Sequence, residues 1–442
     1  MSRWSLSWLL AIPFAVLCFA TLTLTAPRNR DKDYQLVRTF VDVLNEVDQH
    51  YVRPLNDEQK RALVEDMINE GLGKLDPYSG YMNDKELKRF ETQTEGNFGG
   101  VGIQITQDLK TGLLMVTSPM PGTPAFDAGI QAGDFILKID DKSAEGITID
   151  EALPLITGEP GTKVNLTVVS EGDKKERTVT LTRAKISVKT VYGYERLPND
   201  LAKWNWFVDR QNGIGYIRVL QFTDPTLDDL KQAIEELEKA GAKALILDLR
   251  GNPGGLLTSA IDVSDLFLTK GKIVSTKDRN GRGRSWDAKE SDTMFEPANE
   301  RPMVVLVDRM SASASEIVSA ALQDNNRAIV VGERSYGKGS VQKIIRLNSE
   351  PPTAVKLTTD TYWRPSEKNI HRYPDMKETD EWGVSPNEGF LIEMDSEERL
   401  GYLRYQRAKD IVQKNNKVDV PHFTDRVLEL AQKHLREKLG VK

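Results

Sequence analysis

Hydrophobic positions along the chain change their spacing from region to region, and each spacing predicts a different kind of structure. Residues 33–90 carry apolar side chains at helical spacing, as at Leu36 and Phe40, which predicts a small helical region. Residues 96–184 contain short β-type runs with few helical candidates, which predicts a compact, mostly β module. Residues 185–400 alternate apolar strands with amphipathic helices, which predicts an α/β domain with an essentially parallel sheet.

The two ends of the chain follow none of these patterns. An uncharged, mostly apolar run extends from Trp4 to Ala26, and its length is close to the ~20 residues that span a bilayer. The run predicts an export signal or, with a slight preference, an uncleaved membrane anchor. The protein is therefore expected on the periplasmic side of the cytoplasmic membrane, anchored or released. After Met394 the chain is charged and helical to Lys442, and this amphipathic tail is expected to pack on another surface, such as a second subunit.

Composition narrows the classes of function. The net charge of −6 comes from 60 basic and 66 acidic residues spread along the chain, so no basic face is expected and nucleic acid is not expected as a partner. Cys18 is the single cysteine and lies in the apolar N-terminal run, which excludes cysteine proteases and cysteine metal sites in the exported part. The predicted segments are a signal peptide or anchor (1–26), a helical region (27–94), a β module (95–184), an α/β domain (185–400) and a helical tail (401–442).

The β module begins with a glycine-rich segment, Gly99-Gly-Val-Gly-Ile103. A glycine loop before an edge strand directs backbone N–H groups at a common point, where they can bind a terminal carboxylate. A simple glycine bulge explains the loop alone equally well, but the run Ala128-Gly-Ile-Gln-Ala-Gly-Asp134 follows it. With both segments the module resembles a bacterial PDZ domain. The resemblance implies that the strand Val101–Ile105 pairs with a bound peptide. It also implies a peptide-binding set of four adjacent residues, Gly100, Val101, Gly102 and Ile103.

A serine-rich segment follows the apolar run Met303–Val307. It reads Asp308-Arg-Met-Ser-Ala-Ser-Ala-Ser-Glu316 and passes from a predicted strand into a predicted helix. Such a turn exposes a serine hydroxyl at the sheet edge and directs the amides of a helix N-terminus at the group it attacks. Taken alone, the serines are explained more simply as a helix cap.

Two glycine-rich segments indicate which chemistry the serines could take part in. The segment Gly337-Lys-Gly-Ser-Val-Gln342 holds a lysine between two glycines, and burial can lower the pKa of a lysine enough to make it a general base. The segment almost matches a phosphate-binding loop, but Gly339 stands where such a loop needs a serine or threonine to bind the metal ion. A third segment, Ala244–Leu256, is an apolar strand that ends in a double-glycine turn, which can free a backbone N–H for an oxyanion hole.

Together the three segments resemble the carboxyl-terminal (tail-specific) processing proteases of peptidase family S41. The resemblance covers nearly the whole chain after the N-terminal run, and it implies a crotonase- or ClpP-like α/β protease domain behind a PDZ domain. It implies a serine nucleophile, a lysine base twenty-five residues later and a glutamine that positions the lysine, namely Ser313, Lys338 and Gln342. It also implies that oxyanion-hole N–H groups come from Ala314 and from Gly255, with the adjacent Gly254 as the alternative. The residues alone do not distinguish Ser313 from the serines on either side of it.

The chain departs from the usual family sequence in three places. Met310 stands where a glycine is frequent, and Ser335-Tyr336 stands where Thr-Phe is frequent. The segment Pro365–Pro386 is longer and more charged than its usual counterpart. These departures concern substrate preference and loop geometry rather than the predicted dyad.

The resulting hypothesis is an exported serine endopeptidase that binds the C-terminal tail of a substrate protein and cleaves within it. Lys338 would take the proton of Ser313, and an acyl-enzyme would form without a metal or cofactor. The expected partners are protein substrates with apolar C-termini, and the resemblance also allows an adaptor or activator protein and a homo-oligomer. Two alternatives stay open, namely a catalytically silent PDZ scaffold that binds exported tails, and a crotonase-like acyl enzyme. The second explains neither the β module nor the export signal.

Overall fold

A computed structural model of the chain describes residues 30–170, 175–295, 301–412 and 419–441. The chain divides into two compact units, Met1–Gly71 and Leu72–Lys442. The first unit contains helix α1 (Arg30–His50) and most of helix α2 (Asp57–Gly73). The predicted signal or anchor over residues 1–26 lies outside the described residues. None of the described helices combines the length and apolar character needed to cross a membrane.

The second unit opens with a short strand, β1 (Gly80–Met82), and helix α3 (Asp84–Glu95). The helix begins with a capping box, because Asn83 Oδ1 accepts from the Glu86 N–H at 3.0 Å and Glu86 Oε2 accepts from the Asn83 N–H at 3.0 Å. Reciprocal bonds of this kind satisfy N–H groups that a helix start otherwise leaves unpaired. The helical region that the sequence predicts therefore ends next to the β module.

The β module follows as an antiparallel sheet with two short helices. Its elements are β2 (Asn97–Gly100), β3 (Ile103–Gln107), β4 (Leu114–Pro119), α4 (Pro124–Asp127), β5 (Phe135–Ile139), β6 (Lys142–Ser143), α5 (Ile149–Ile156), β7 (Lys163–Val169), β8 (Arg177–Thr182) and β9 (Ala184–Ser187). The strand order is β3-β4-β5-β7-β8, with β6 on β5, while β2 pairs with β9. Alternate residues such as Val164 and Leu166 are completely buried in its core, as the strand period requires.

The next elements form the α/β domain and the tail. They are β10 (Val191–Tyr192), β11 (Glu195–Leu197), β12 (Asp200–Asn205), β13 (Phe207–Asp209), β14 (Ile214–Val219), α6 (Thr226–Lys239), β15 (Ala244–Asp248), α7 (Leu257–Asp265), β16 (Lys272–Asp278), β17 (Ser285–Asp287), β18 (Met303–Val307), α8 (Ala314–Asp324), β19 (Ile329–Gly332), β20 (Ser340–Arg346), β21 (Ala354–Trp363), α9 (Ser396–Asp410) and α10 (Arg426–Lys438).

A mainly parallel sheet forms the centre of this domain. Its order is β10-β14-β15-β18-β19, with β13 also on β14, and β14, β15, β18 and β19 run parallel. Helices α6, α7 and α8 pack on one face, where Leu230, Ala260 and Ile317 share a core with the strands. The predicted α/β fold is confirmed. Within the described residues, a second, antiparallel sheet of order β1-β21-β16-β17, with β20 on β21, adds a layer that the sequence does not predict.

The C-terminal tail packs on the other face of the central sheet. Val427 and Leu435 of α10 are buried in one core with Ile246 of β15, so the tail does not need the second subunit that the sequence left as its possible support. The side chain of Arg250 adds a buried link, because it binds Asp425 at 2.9 Å through each of two nitrogens. Within the described residues the helical tail consists of two helices, α9 and α10, and both contribute side chains to one core with the central sheet.

Candidate active site

The turn between β18 and α8 carries the three serines of the Ser-Ala repeat. Ser311 Oγ donates to the Leu249 carbonyl at 2.8 Å, and Ser315 Oγ donates to the Asn252 carbonyl at 2.9 Å. Both of these side chains are fully buried, whereas Ser313 keeps 8% of its exposure. Ser311 and Ser315 therefore fasten the turn to the neighbouring double-glycine segment, and Ser313 is the one of the three that retains accessible surface.

The backbone of Ser313 has an unusual conformation. Its φ is 56° and its ψ is −113°, a left-handed φ that residues other than glycine seldom adopt. A conformation of this kind costs about 1–3 kcal/mol and has to be held by its surroundings. It places the serine at a sharp strand-to-helix turn, as in hydrolases that expose their nucleophile above a sheet.

Glu316 is the group that holds this turn. It is completely buried, and its carboxylate accepts from the backbone N–H groups of Ser313 and Lys338, each at 2.8 Å. The same carboxylate accepts from the Gly337 N–H at 2.6 Å and from Ser335 Oγ at 2.5 Å. Burial raises the pKa of Glu316 to about 7, against the lowering effect of these donors. One carboxylate thus joins the two backbone segments that carry the predicted nucleophile and base.

The amine of Lys338 lies in a half-buried position near the nucleophile turn. Burial lowers the pKa of Lys338 below its usual value, and the charge of Lys356 lowers it further while Glu316 opposes the change. The Nζ atom lies 4.9 Å from the centre of the Tyr78 ring. Among the described residues, no hydrogen bond joins Lys338 Nζ to Ser313 Oγ. The structure therefore brings the two backbones together but leaves the two side chains apart.

Gln342 lies on β20, close in sequence to Lys338. Its Nε2 donates to Ser340 Oγ at 2.9 Å and to Thr358 Oγ1 at 3.1 Å. In the part of the chain that the structure describes, Gln342 makes no hydrogen bond to Lys338. The glutamine therefore contacts the β20–β21 hairpin and not the lysine that it is expected to position.

Two backbone N–H groups beside Ser313 lack an acceptor within the described residues, and they belong to Gly255 and Ala314. The Gly254 N–H, in contrast, donates to Asn252 Oδ1 at 2.9 Å. A Cβ added to Gly254 would lie 2.8 Å from Ser313 Cβ, so this glycine allows the two turns to meet. The geometry favours Gly255 over Gly254 as the N–H donor of an oxyanion hole, together with Ala314.

The glycine-rich loop of the β module also carries unpaired N–H groups. Gly100 ends β2 and Ile103 begins β3, with two residues between them. The N–H groups of those two residues, Val101 and Gly102, have no acceptor in the described chain, while their carbonyls accept from neighbouring segments. The loop therefore offers two adjacent donors to a carboxylate.

The strand after this loop has a free edge. β3 is the terminal strand of its sheet, and α5 lies beside it, which is the arrangement that allows an extended peptide to add as a further strand. The predicted strand Val101–Ile105 begins two residues later, at Ile103, because Gly102 has a φ of 79° that interrupts the extended backbone. A Cβ at Gly102 would lie 2.3 Å from Thr123 Cβ, so the loop conformation requires glycine.

A cavity of about 570 Å³ opens next to the Gly337-Lys338 segment. Its walls include residues from all three places where the chain departs from the usual family sequence, namely Met310, Tyr336, Arg372, Glu378 and Trp382. Met310 and Tyr336 are about half exposed, at 55% and 49%, while Arg372 and Glu378 pair at 2.6 Å. Exposed apolar surface therefore lines this cavity beside the serine and lysine segments.

Comparisons with known proteins identify the family. The model for Peptidase family S41 matches residues 213–387, and the model for a PDZ domain matches residues 115–170. A carboxy-terminal-processing protease of Bartonella bacilliformis is 41% identical over 347 residues, which cover 77% of this chain and 74% of that protein. The chain belongs to peptidase family S41.

Two further proteins similar to this S41 protease have related names. A carboxyl-terminal-processing protease of Synechocystis is 34% identical over 389 residues, which cover 86% of this chain and 83% of that protein. The solved structure of a photosystem II D1 C-terminal processing protease is 29% identical, covers 79% of this chain and 86% of that chain, and has a TM-score of 0.42. The predictions of a serine-type peptidase of the carboxy-terminal-processing class and of a PDZ domain are confirmed.

Two residues of the S41 protease site were not among the predicted ones. Glu316 ends the serine segment, where it is a single charge among small and apolar residues at the start of a helix that is buried from Ala314 to Leu322. Tyr78 belongs to Asp76-Pro-Tyr-Ser-Gly80, a segment whose proline, serine and glycine are typical of a turn. Neither signal specifies which distant residue the side chain contacts, and those contacts come from the structure.

Proposed function

We propose that this S41 protease binds the C-terminal tail of a substrate protein in its PDZ groove and cleaves the substrate with a Ser313–Lys338 dyad. The observation that carries the proposal is the buried Glu316 carboxylate, which binds the backbone N–H groups of both residues. A shared acceptor fixes the two backbone segments that carry the proposed nucleophile and base relative to each other, and pre-arranged geometry is a large part of catalysis.

In the proposed reaction, neutral Lys338 removes the proton of Ser313 as the hydroxyl attacks the peptide carbonyl. The oxyanion accepts hydrogen bonds from the N–H groups of Gly255 and Ala314. The lysine then gives its proton to the leaving amine, and the peptide's C-terminal part departs. Water, deprotonated by the same amine, hydrolyses the acyl-enzyme. Because the lowered pKa of Lys338 increases its neutral fraction, the burial seen around it supports this role.

The PDZ part of the proposal rests on the loop and the free strand edge. The Val101 and Gly102 N–H groups would bind the terminal carboxylate of the tail, and β3 would pair with its backbone. The apolar wall of the cavity at Met310 and Tyr336 would contact substrate side chains close to the cleaved bond. The apolar run Trp4–Ala26 supports a location at the periplasmic face of the membrane, where the substrates would be exported proteins. Cell fractionation of the full chain would test this location.

The experiment compares cleavage of an unstructured protein with an apolar C-terminus by the wild type, Ser313→Ala and Lys338→Ala. Ser291→Ala and Lys343→Ala serve as matched controls, since both residues are exposed and neither belongs to the proposed site. We expect the first two variants to lose cleavage at least 10³-fold while tail binding stays unchanged. Mass spectrometry of the wild type should detect an acyl group on Ser313. Equal proteolysis by Ser313→Ala would favour the silent scaffold.

A further inference from the structure

The loop Asp76–Gly80 reaches the active site, although the proposed reaction assigns it no role. The carboxylate of Asp76 accepts from the N–H groups of Tyr78 and Ser79 and from Ser79 Oγ, all at 2.8 Å. The chain then enters β1, where Gly80 pairs with Lys356 of β21. Three hydrogen bonds within the loop fix its shape, and the pairing of β1 with β21 fixes it to the sheet that carries the lysine segment.

Tyr78 stands at the tip of this loop and faces the catalytic amine. Lys338 Nζ lies 4.9 Å from its ring centre, inside the ~6 Å range of a cation–π contact. Burial, together with the neighbouring Tyr336, raises the pKa of Tyr78 to about 12, so the phenol stays neutral at neutral pH. Within the described residues, Lys338 Nζ makes neither a hydrogen bond nor an ion pair, and it contacts the ring of Tyr78.

A short chain of hydrogen bonds links Gln342 to the same loop. Gln342 Nε2 donates to Thr358 Oγ1 at 3.1 Å, and the Thr358 N–H donates to Ser79 Oγ at 3.1 Å. Ser79 is the residue after Tyr78. The glutamine is therefore connected to Lys338 through the loop and the ring, rather than by a bond to the amine.

We infer that Tyr78 is a positioning residue for the general base: its ring binds the protonated amine of Lys338, and Gln342 supports that contact through Thr358 and Ser79. The inference rests on the proposed Ser313–Lys338 reaction. Because the face of the ring attracts the ammonium and not the neutral amine, the contact holds the lysine in its resting form and is released when the amine turns to the serine.

Three kinds of group act on the charge of Lys338 from the elements around it. Lys356 on β21 disfavours the protonated amine, and Glu316 on α8 favours it. The ring of Tyr78, which is half-buried and neutral, adds a second favourable contact. Removing the π-face while keeping apolar bulk should therefore lower the pH at which the lysine loses its proton.

The test compares the full-length wild type, Tyr78→Leu and Tyr78→Phe in profiles of kcat/KM against pH, with the unstructured substrate described above. Tyr78→Leu keeps bulk but removes the π-face, and we expect its acid limb to move about one unit to lower pH. Tyr78→Phe keeps the aromatic face and loses only the hydroxyl, so its acid limb should stay close to that of the wild type. A limb in Tyr78→Leu that stays in place or moves to higher pH, even with lower activity, overturns the inference.

A second measurement does not depend on cleavage. In the Ser313→Ala background, the rate at which an amine-specific reagent labels Lys338 is followed against pH by peptide mass spectrometry, with and without Tyr78→Leu. A shift of the labelling curve to lower pH supports the ring contact, and an unchanged curve contradicts it. If Lys338→Ala keeps full cleavage while labelling still shifts, the proposed reaction fails and the contact between Tyr78 and Lys338 stands.

Discussion

The PDZ loop and the protease centre use the same device at two places, and they assemble it differently. Each site presents a pair of backbone N–H groups that have no acceptor within the described residues. In the PDZ loop the pair is Val101 and Gly102, two neighbours in sequence. In the proposed protease centre the pair is Gly255 and Ala314, which come from two separate βα turns. The carboxylate of a peptide is present before binding, so one loop can bind it. An oxyanion that forms only during the reaction needs donors placed around the nucleophile.

Cross-links between the two turns replace the continuity of a single loop. The Ala312 N–H donates to the Asn252 carbonyl at 3.0 Å, and the Gly251 N–H donates to Asp308 Oδ1 at 3.0 Å. The Ser311 and Ser315 hydroxyls add the two bonds described above. The protease site is therefore sensitive to changes on either turn, and the PDZ site to changes within one loop.

The largest expected effect comes from a change at the double-glycine turn, which should impair the protease site and leave the PDZ site intact. Gly254→Ala introduces a Cβ 2.8 Å from Ser313 Cβ and 2.9 Å from the Ala314 nitrogen, which displaces the oxyanion donors. We expect kcat to fall about 10²–10³-fold, with binding of a tail peptide unchanged. Gly251→Ala is the matched control, since Gly251 has a φ of 70° on the same turn but open space around it. Equal losses in both variants would mean that backbone strain, and not the contact with Ser313, is responsible.

A smaller loss should follow from Glu316→Gln. The amide nitrogen of glutamine cannot accept a hydrogen bond, so part of the donor set of this buried carboxylate would lose its partner. We expect kcat to fall about 10–100-fold and the free energy of unfolding to fall by about 1–3 kcal/mol, measured by single-turnover kinetics and urea unfolding. Glu429→Gln, on the surface of α10, is the control. Full activity in Glu316→Gln would show that the two segments are aligned without this carboxylate.

The complementary change breaks the PDZ site alone. In Gly102→Ala the new Cβ would lie 2.3 Å from Thr123 Cβ, which distorts the loop that carries both donors. We expect binding of a fluorescent apolar C-terminal peptide to weaken about tenfold by anisotropy, with the single-turnover acylation rate at saturating substrate little changed. Gly112→Ala, with a φ of 71° and open space in the same module, is the control. A C-terminally amidated peptide should bind wild type and Gly102→Ala alike, and a difference between them would contradict carboxylate capture.

The smallest effect concerns pH, to which the two sites should respond differently. Lys356 lowers the pKa of Lys338, so Lys356→Gln should raise that pKa and move the acid limb of kcat/KM about half a unit to higher pH. Cleavage at neutral pH would then fall a few-fold. Peptide binding should show no such shift, because its donors are backbone N–H groups. Lys343→Gln, on the neighbouring strand and paired with Asp360, is the control, and an equal shift there would assign the effect to general surface charge.

Local segments explain which parts of this molecule could be predicted from its sequence. The PDZ loop, the serine turn and the lysine segment each lie within a few consecutive residues, so their chemistry could be proposed without a fold. The donor choice between Gly254 and Gly255 could not, because it depends on whether the Asn252 side chain occupies one N–H. The second sheet was equally hidden, since β1 and β21 lie far apart in sequence and pair only in the folded chain.

The family resemblance and the structure each contribute to the choice of the proposed dyad residues. The family pattern selected Ser313 among three serines, and the structure supplies a physical reason, since Ser311 and Ser315 are both bonded to backbone carbonyls. The role expected for Gln342 was a direct bond to the lysine, but the bonds of its side chain run to the hairpin instead. Side-chain bonds of this kind depend on strand register, which hydrophobic patterns do not specify.

The buried ion pair between Arg250 and Asp425 ties the double-glycine turn to the far end of the described chain. Arg250 lies on that turn, fully buried, and it binds Asp248 as well as Asp425, which caps the last described helix. Removing one member of a buried charge network costs about 3–5 kcal/mol. The turn that carries the proposed oxyanion donors therefore depends on a residue that lies 175 positions further along the chain. A change at the C-terminal helix reaches the turn beside Ser313 through Arg250.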